Sequence, residues 1–382
     1  MRIAITTSGL EHVKRGVETW ALETSRILRR LGQDVTLFKG SGYPRVPYER
    51  VCGCVRQGSG LNRLLLGTLP ACAWRIGFGS DWAIEQVTFA LNLIPKLGRG
   101  FDIVHTQDSL AALTLHRAWT LGLIKAPVIL GHGTEEPFDF LAKLGFVQHL
   151  APFYLEEARA AGCHKEGWTA IGNFVDTGRF QPGPNGAARA KHGLPQSAFV
   201  VLSVAAVKRT HKRVDYLIRE VADFRRATGA DVELVVAGAS ALETGGLVRM
   251  GKELLGERAH FLLDQPHESM PEVFRVADVF ALCSLKEMMP LALLEAMASG
   301  LPCLVSAHPV VNWIIGPGGE GIRMEQPGAL AGALARYSDP ALRREKGALA
   351  RQHVAANFAE EAIVRRYIDM YCSVLEIAGR AA

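Results

Sequence analysis

KEMMPLALLEAMASGLP, residues 286–302, sets a lysine and two glutamates around a proline and a run of leucines, alanines and methionines. Apolar side chains are what a buried helix needs, and unpaired carboxylates are what it excludes. Pro290 suits the first turn of a helix, where its missing N–H would be unpaired in any case. Gly300-Leu301-Pro302 closes that helix. The N–H groups of such a first turn make a ready anion site. Glu287 would then lie in the loop at the mouth, with Glu295 roughly 1.5 turns inside at ~3.6 residues per turn. One carboxylate could accept hydroxyl hydrogen bonds from a sugar and the other from a ribose. A capping box at Ser284–Glu287, with Glu295 on a solvated helix face, meets the same spacing. Spacing alone leaves both open.

Outward from this stretch, the second half of the chain alternates strands and helices. AFVVLSVAAV (198–207), DVELVVAG (231–238), RAHFLLD (258–264), DVFALCS (278–284) and PCLVS (302–306) read as strands. VDYLIREVADFRRATG (214–229), ALETGGLVRMGKELLG (241–256) and SMPEVFRVA (269–277) read as helices between them. The first half opens the same way. MRIAITTS, a polar loop at 8–16, the helix VETWALETSRILRRLG (17–32) and DVTLF (34–38) form a βαβ start. Val17, Trp20, Ala21, Ile27, Leu28 and Leu31 recur near the helical period. Residues 60–98 read as helical, FDIVHTQD (101–108) and APVILGHGT (126–134) as strands entering polar loops, and TAIGNFVD (169–176) as the close of the half. Three prolines and three glycines mark 181–197 as a linker.

A chain of 382 residues exceeds the size at which one core keeps growing. The pattern predicts one Rossmann-like domain over 1–180 and a second over 198–359. The final helix, 360–382, is expected to pack back on the first domain. The class is α/β, two facing doubly wound domains with a cleft between them.

Seven cysteines with no CxxC pair fit a reduced cytoplasmic protein rather than a disulfide scaffold or zinc site. The opening MRIAITTSG is too short and polar for a signal-peptide core, and no apolar run approaches the roughly 20 residues of a membrane span. Residues 1–190 carry 21 Lys+Arg against 16 Asp+Glu, and 191–382 carry 22 against 22, so the net charge of +5 lies wholly in the first half. That excess is too mild for a nucleic-acid partner. It suits an anionic small ligand or a membrane surface.

Glu287, seven residues, Glu295 and then Ala-Met-Ala-Ser-Gly-Leu-Pro resemble the E-x7-E signature of the family 4 retaining glycosyltransferases, which adopt the GT-B fold. Companions occur in order along nearly the whole chain: Arg15-Gly16-Val17-Glu18, Phe101-Asp102-Ile103-Val104-His105, Gly131-His132-Gly133, Asn173-Phe174-Val175-Asp176, and Ala277-Asp278-Val279-Phe280 with Ser284. The resemblance implies that Gly16 approaches the donor phosphate and that His132 lies nearest the reacting carbon. Arg15 and His105 become acceptor-side candidates, His105 also reading as a brace. Lys212, in SVAAVKRTHKRVDYLI (203–218), matches the family's diphosphate lysine. The arginine position is held by Ala206, so Lys208 or Arg209 must supply the second cation, and Arg213 replaces the glycine after the lysine. Met289-Pro290 stands where many relatives have Phe-Gly, which removes one backbone donor and leaves the amides of Met289 and Leu291 as candidates. Glu295 would bind ribose and Glu287 the sugar.

A solvated basic loop, for Arg209 and Arg213, and an ordinary structural histidine, for His132, remain the competing readings. No Asp-x-Asp triplet occurs, which favours a metal-independent transferase without a cofactor. The absence of GxGxxG between the first strand and helix weakens a dehydrogenase.

The expected activity is retaining transfer from a UDP- or GDP-sugar to a sugar or lipid-linked acceptor, in cell-envelope or extracellular glycan synthesis. Alternatives are a GT-B nucleotide-sugar 2-epimerase and a non-catalytic nucleotide-sugar or membrane-surface binder. Arg26, Arg29 and Arg30, with Trp74, Arg75 and Trp82, could form a basic-aromatic rim against anionic lipid at the inner face of the cell membrane. Core tryptophans and a solvated helix face explain the same residues.

Overall fold

Apolar runs become buried parallel strands in both halves of the chain. The computed structural model describes residues 1–13, 16–70, 72–73, 77–98 and 100–381. These form two α/β units, Met1–Asn173 with Ile363–Ala382, and Phe174–Ala362.

In the first unit the strands are β1 (Arg2–Thr7), β2 (Asp34–Lys39), β3 (Glu49–Val51), β4 (Ile103–Thr106), β5 (Val128–His132), β6 (Phe146–His149) and β7 (Trp168–Ala170). They pair in parallel in the order β3-β2-β1-β4-β5-β6-β7. Helices cover such a sheet on its faces, which is why its central strands are buried along their length rather than alternately. The helix Gly16–Arg30 buries Trp20, Ala21, Ile27 and Leu28.

The second unit holds β8 (Phe199–Val204), β9 (Val232–Gly238), β10 (Ala259–Leu263), β11 (Val279–Leu282), β12 (Cys303–Ser306) and β13 (Gly319–Ile322). Their parallel order is β10-β9-β8-β11-β12-β13. Each sheet reverses its strand order beside its first strand, between β1 and β4 and between β8 and β11. Loops leaving the carboxyl ends diverge there, which is where doubly wound sheets hold ligands.

Three strands differ from the sequence reading. β3, β6 and β13 were not signalled: FVQH carries two polar residues in a fully buried strand, and GEGI has one large apolar side chain. A Cβ on Gly319 would lie 2.0 Å from the Cys303 carbonyl oxygen, so close backbone approach, not side-chain packing, selects that residue.

The division between units falls at Asn173 and Phe174 rather than at 181–197. That stretch contains the helix Gly186–Lys191, and its Arg189 is buried. The Arg189 guanidinium donates to the carbonyls of Val276, Gln196 and Ala198 and pairs with Asp278 at 2.8 Å. These bonds make the stretch part of the second unit. The final helix runs Glu360–Ala381, and its Tyr367 and Tyr371 are fully buried. Trp20 Nε1 and Gln148 Nε2 both donate to Tyr367 Oη, at 3.3 and 3.0 Å.

Candidate functional site

In the second unit the β8 and β11 loops meet, because Val279 and Phe280 of β11 pair with Val201 and Leu202 of β8. The β11 loop carries Glu287 and ends at Pro290, whose φ of −73° and ψ of 119° make it the cap residue, with the helix starting at Leu291. The proline therefore stands one residue ahead of the first turn in which its spacing placed it. A cap must leave the helical region of the backbone, and proline's fixed φ allows an extended ψ there. No side chain caps this helix, so the capping-box reading of Ser284–Glu287 does not hold. Met289 and Glu295 are buried, and Leu291 is half-buried.

Lys212 Nζ reaches Glu287 Oε1 at 2.5 Å, with side-chain exposures of 19% and 9%. His211 Nε2 stands 3.8 Å from the same oxygen. The lysine is held in place by its loop. Glu243 accepts from the backbone N–H groups of Arg209 (2.5 Å) and Thr210 (3.4 Å) and from the Thr210 hydroxyl (3.2 Å). The Arg209 N–H is the main cause of the Glu243 carboxyl lying below its usual range. A Cβ on Gly238 (φ +151°) would fall 1.9 Å from the Ala205 carbonyl oxygen, so the end of β9 presses directly on this loop.

Arg213 adopts the left-handed conformation, φ 51° and ψ 40°, which explains why a glycine fits that position easily. Its guanidinium instead donates to the Met324 carbonyl (2.8 Å) and stacks 4.3 Å from the Tyr216 ring. Lys208 is half-buried and Arg209 exposed.

In the first unit His132 ends β5 and pairs in register with His149, which ends β6. Their Nδ1 atoms are 3.0 Å apart, and the rings cross at 82°. His132 Nε2 lies 3.9 Å from Glu136 Oε2. Burial first, then proximity to His132 and His164, pushes His149 down to about 3. Nothing in FVQH signals His149 beforehand, since a polar residue in a short buried strand looks like an interruption.

His105 is fully buried in the seat of the final helix. Its Nδ1 bonds Tyr371 Oη at 2.8 Å, and Trp20, Tyr367 and Tyr371 ring it. Burial pushes it down to about 3. Gly16 opens the first helix and is exposed, whereas Arg15 lies outside the described residues. Among the described residues His12, Cys54 and Glu85 gather ligand-type atoms within 4.8 Å. Glu85 there accepts from His12 Nε2, the Gln57 N–H and the Ser8 hydroxyl.

Residues 185–358 match the family model described as glycosyl transferases group 1. The chain is 30% identical over 325 residues to the D-inositol 3-phosphate glycosyltransferase of Mycobacterium tuberculosis, covering 76% of this chain and 64% of that one. It is 29% identical over 234 residues to the Nocardia farcinica enzyme of the same name, covering 54% and 51%. The chain thus matches between half and two thirds of the length of these relatives. Among solved structures it resembles sucrose-phosphate synthase from Thermosynechococcus elongatus (TM-score 0.75, 20% identity, 98% and 99% covered). It also resembles Anabaena HepE in complex with UDP and glucose (TM-score 0.74, 15% identity, 98% and 100% covered). At these identities the likeness establishes the shared fold, GT-B.

Proposed function

We propose that the protein, whose residues 185–358 match the family model of the group 1 glycosyl transferases, transfers a sugar from a nucleotide-diphosphate sugar to an acceptor with retention at the anomeric carbon. The Lys212–Glu287 pair at the β8/β11 switch point carries this reading. A diphosphate gathers charge as its glycosidic bond breaks, and a cation already fixed in place stabilises it without reorganising. Lys212, with Lys208 or Arg209, is assigned to the diphosphate. When the donor arrives, its phosphate replaces Glu287 as the partner of Lys212, and Glu287 turns to the sugar hydroxyls. Glu295 takes the ribose, and the Leu291 amide, with that of Met289, faces phosphate from the helix start. Pro290 offers no N–H.

From the first unit, Gly16 is assigned to the donor phosphate and His132 to the reacting end of the sugar. Arg15 and His105 stay on the acceptor side, His105 as a brace given its burial. Side-chain cations and amides meet the diphosphate charge in this scheme, so no metal is required. The leaving phosphate takes the acceptor's proton during same-face attack. UDP-sugars come first among donors, because the structural neighbour HepE holds UDP. A thermal-shift screen of UDP-, GDP- and ADP-sugars tests donor binding, since a ligand at 100 times its Kd adds about 2.7 kcal/mol. Donor-only incubation followed by NMR separates a 2-epimerase, which would convert the sugar with no acceptor present.

A contact with anionic membrane is favoured by one observation. The helix Gly60–Thr68 is inside out: it buries Asn62, which donates to the carbonyls of Val55 and Asp81, and exposes Leu61 (53%) and Leu64 (59%). Arg56 and Arg63, near those leucines in sequence, are exposed. An apolar face edged by cations suits a lipid headgroup boundary. The rim read from the sequence is less open. Arg26 pairs with Glu23, and Arg29 stacks on Tyr48; Trp74 and Arg75 lie outside the described residues. Among the described residues no helix is long and apolar enough to cross a membrane. A lipid-linked acceptor in envelope glycan synthesis follows if the contact holds.

A further inference from the structure

We propose that His149 is a positioning residue that fixes the tautomer of His132, so that His132 presents an N–H at Nε2. The inference rests on the reading above for the role of His132, but its geometry lies wholly within the first unit. The Nδ1 atoms of the two rings are 3.0 Å apart, so one nitrogen donates a proton and the other accepts it. His149 Nε2 is buried with no hydrogen-bond partner. The Glu136 carboxylate 3.9 Å from His132 Nε2 sets the outward N–H on the His132 side of the pair, and a buried N–H without an acceptor is rarer than a buried acceptor without a donor, so His149 Nε2 carries the lone pair. The single proton of a neutral His149 then resides on Nδ1 and is donated to His132 Nδ1. Burial excludes the doubly protonated ring.

With its Nδ1 occupied as an acceptor, His132 carries its own proton on Nε2, the atom that faces Glu136 Oε2 at 3.9 Å. A carboxylate opposite an N–H is favourable, and opposite a lone pair it is not. The Trp168 ring, 5.3 Å from His149 between centroids, and the Tyr154 ring, 5.7 Å from His132, restrict the two imidazoles.

The consequence is chemical. A histidine locked this way donates a hydrogen bond to a sugar or phosphate oxygen and cannot accept a proton at Nε2. The acceptor's proton must therefore go elsewhere, in agreement with its transfer to the leaving phosphate.

Nitrogen-15 NMR of the full chain labelled at histidine reads the tautomers through long-range couplings. The expected result is His132 protonated at Nε2 and His149 at Nδ1. His149→Asn, whose amide nitrogen sits close to the place of the imidazole Nδ1, should keep His132 in that form, and His149→Phe should release it into a mixture. In a transfer assay the Phe variant should lose on the order of tenfold in kcat, the scale seen when an outer partner that orients a histidine is removed. The KM for donor should hold, and Asn should recover most of the rate. His132 protonated at Nδ1 in the wild type overturns the proposal without any variant being needed, as does a folded Phe variant with an unchanged His132 tautomer. If the wild type transfers no sugar while the tautomers are as stated, the transferase reading fails and the positioning geometry stands.

Discussion

Lys212 Nζ and Glu287 Oε1 lie 2.5 Å apart although 75 residues separate them in the chain. A cation and a carboxylate held this closely while mostly shielded from water neutralise one another, and each is available only if the other finds a new partner. A diphosphate sugar supplies both partners at once, an anion for the lysine and hydroxyl donors for the glutamate.

Removing the lysine should therefore act twice. Lys212→Ala leaves Glu287 shielded without its counter-charge, and a lost hydrogen bond to a charged group costs about 1.5–3 kcal/mol. Urea unfolding without ligand should show that loss, and Lys212→Ala with Glu287→Gln together should lose less than the two single effects added. Additive losses would mean that the pair contributes nothing as a pair.

Arg213 gives a second prediction. A non-glycine residue in the left-handed region is strained by about 1–2 kcal/mol, and here the Met324 carbonyl and the Tyr216 ring offset that strain. Arg213→Ala keeps the strain and loses both contacts, whereas Arg213→Gly loses the contacts and the strain together. The alanine variant should be the less stable, by about 1 kcal/mol, in chemical denaturation. Equal stabilities would remove the backbone from the explanation.

Acid should destabilise the first unit through its histidines. His105 and His149 are each pushed down to about 3 by burial, while in the unfolded chain both take up protons near pH ~6.5. Between these values the unfolded state binds more protons, so stability falls as the pH drops from about 6.5 towards 3 and is fully present above that window. Each group contributes at most about 1.4 kcal/mol per pH unit. The urea midpoint should be lower at about pH 5 than at about pH 7, with a shallower dependence in His149→Asn. A midpoint unchanged across that interval would show that the two rings are not held neutral.

The leucine face of helix Gly60–Thr68 should bind anionic vesicles at low salt, and Leu64→Glu should weaken binding without affecting the buried Asn62. Sedimentation with phosphatidylserine-containing and phosphatidylcholine-only liposomes measures this. Equal recovery with and without the substitution would place any membrane contact elsewhere.

The elements that carry the candidate site were legible in the sequence, since β8, β11 and the helix Leu291–Ala298 are apolar runs. Glu287, Glu295 and Lys212 stand at fixed distances from β8 and β11, whose apolar runs cannot be mistaken. His149 was not legible, because FVQH puts Gln148 and His149 where a buried strand usually has apolar residues, and only pairing with β5 makes sense of them. Residues 181–197 looked like a linker from their prolines and glycines. Arg189, an exposed residue type by composition, anchors the stretch with bonds to carbonyls up to 87 residues away. Pro290 was placed one residue too far into its helix because proline suits both the cap and the first turn.

The most direct test is nucleoside diphosphate release, followed for the wild type and Lys212→Ala with UDP-, GDP- and ADP-sugars and a panel of sugar and lipid-linked acceptors. Release from at least one donor that depends on acceptor, with retention in the product and loss of activity in the variant, is the predicted result. No release from any donor, or equal rates for the two proteins, would contradict it.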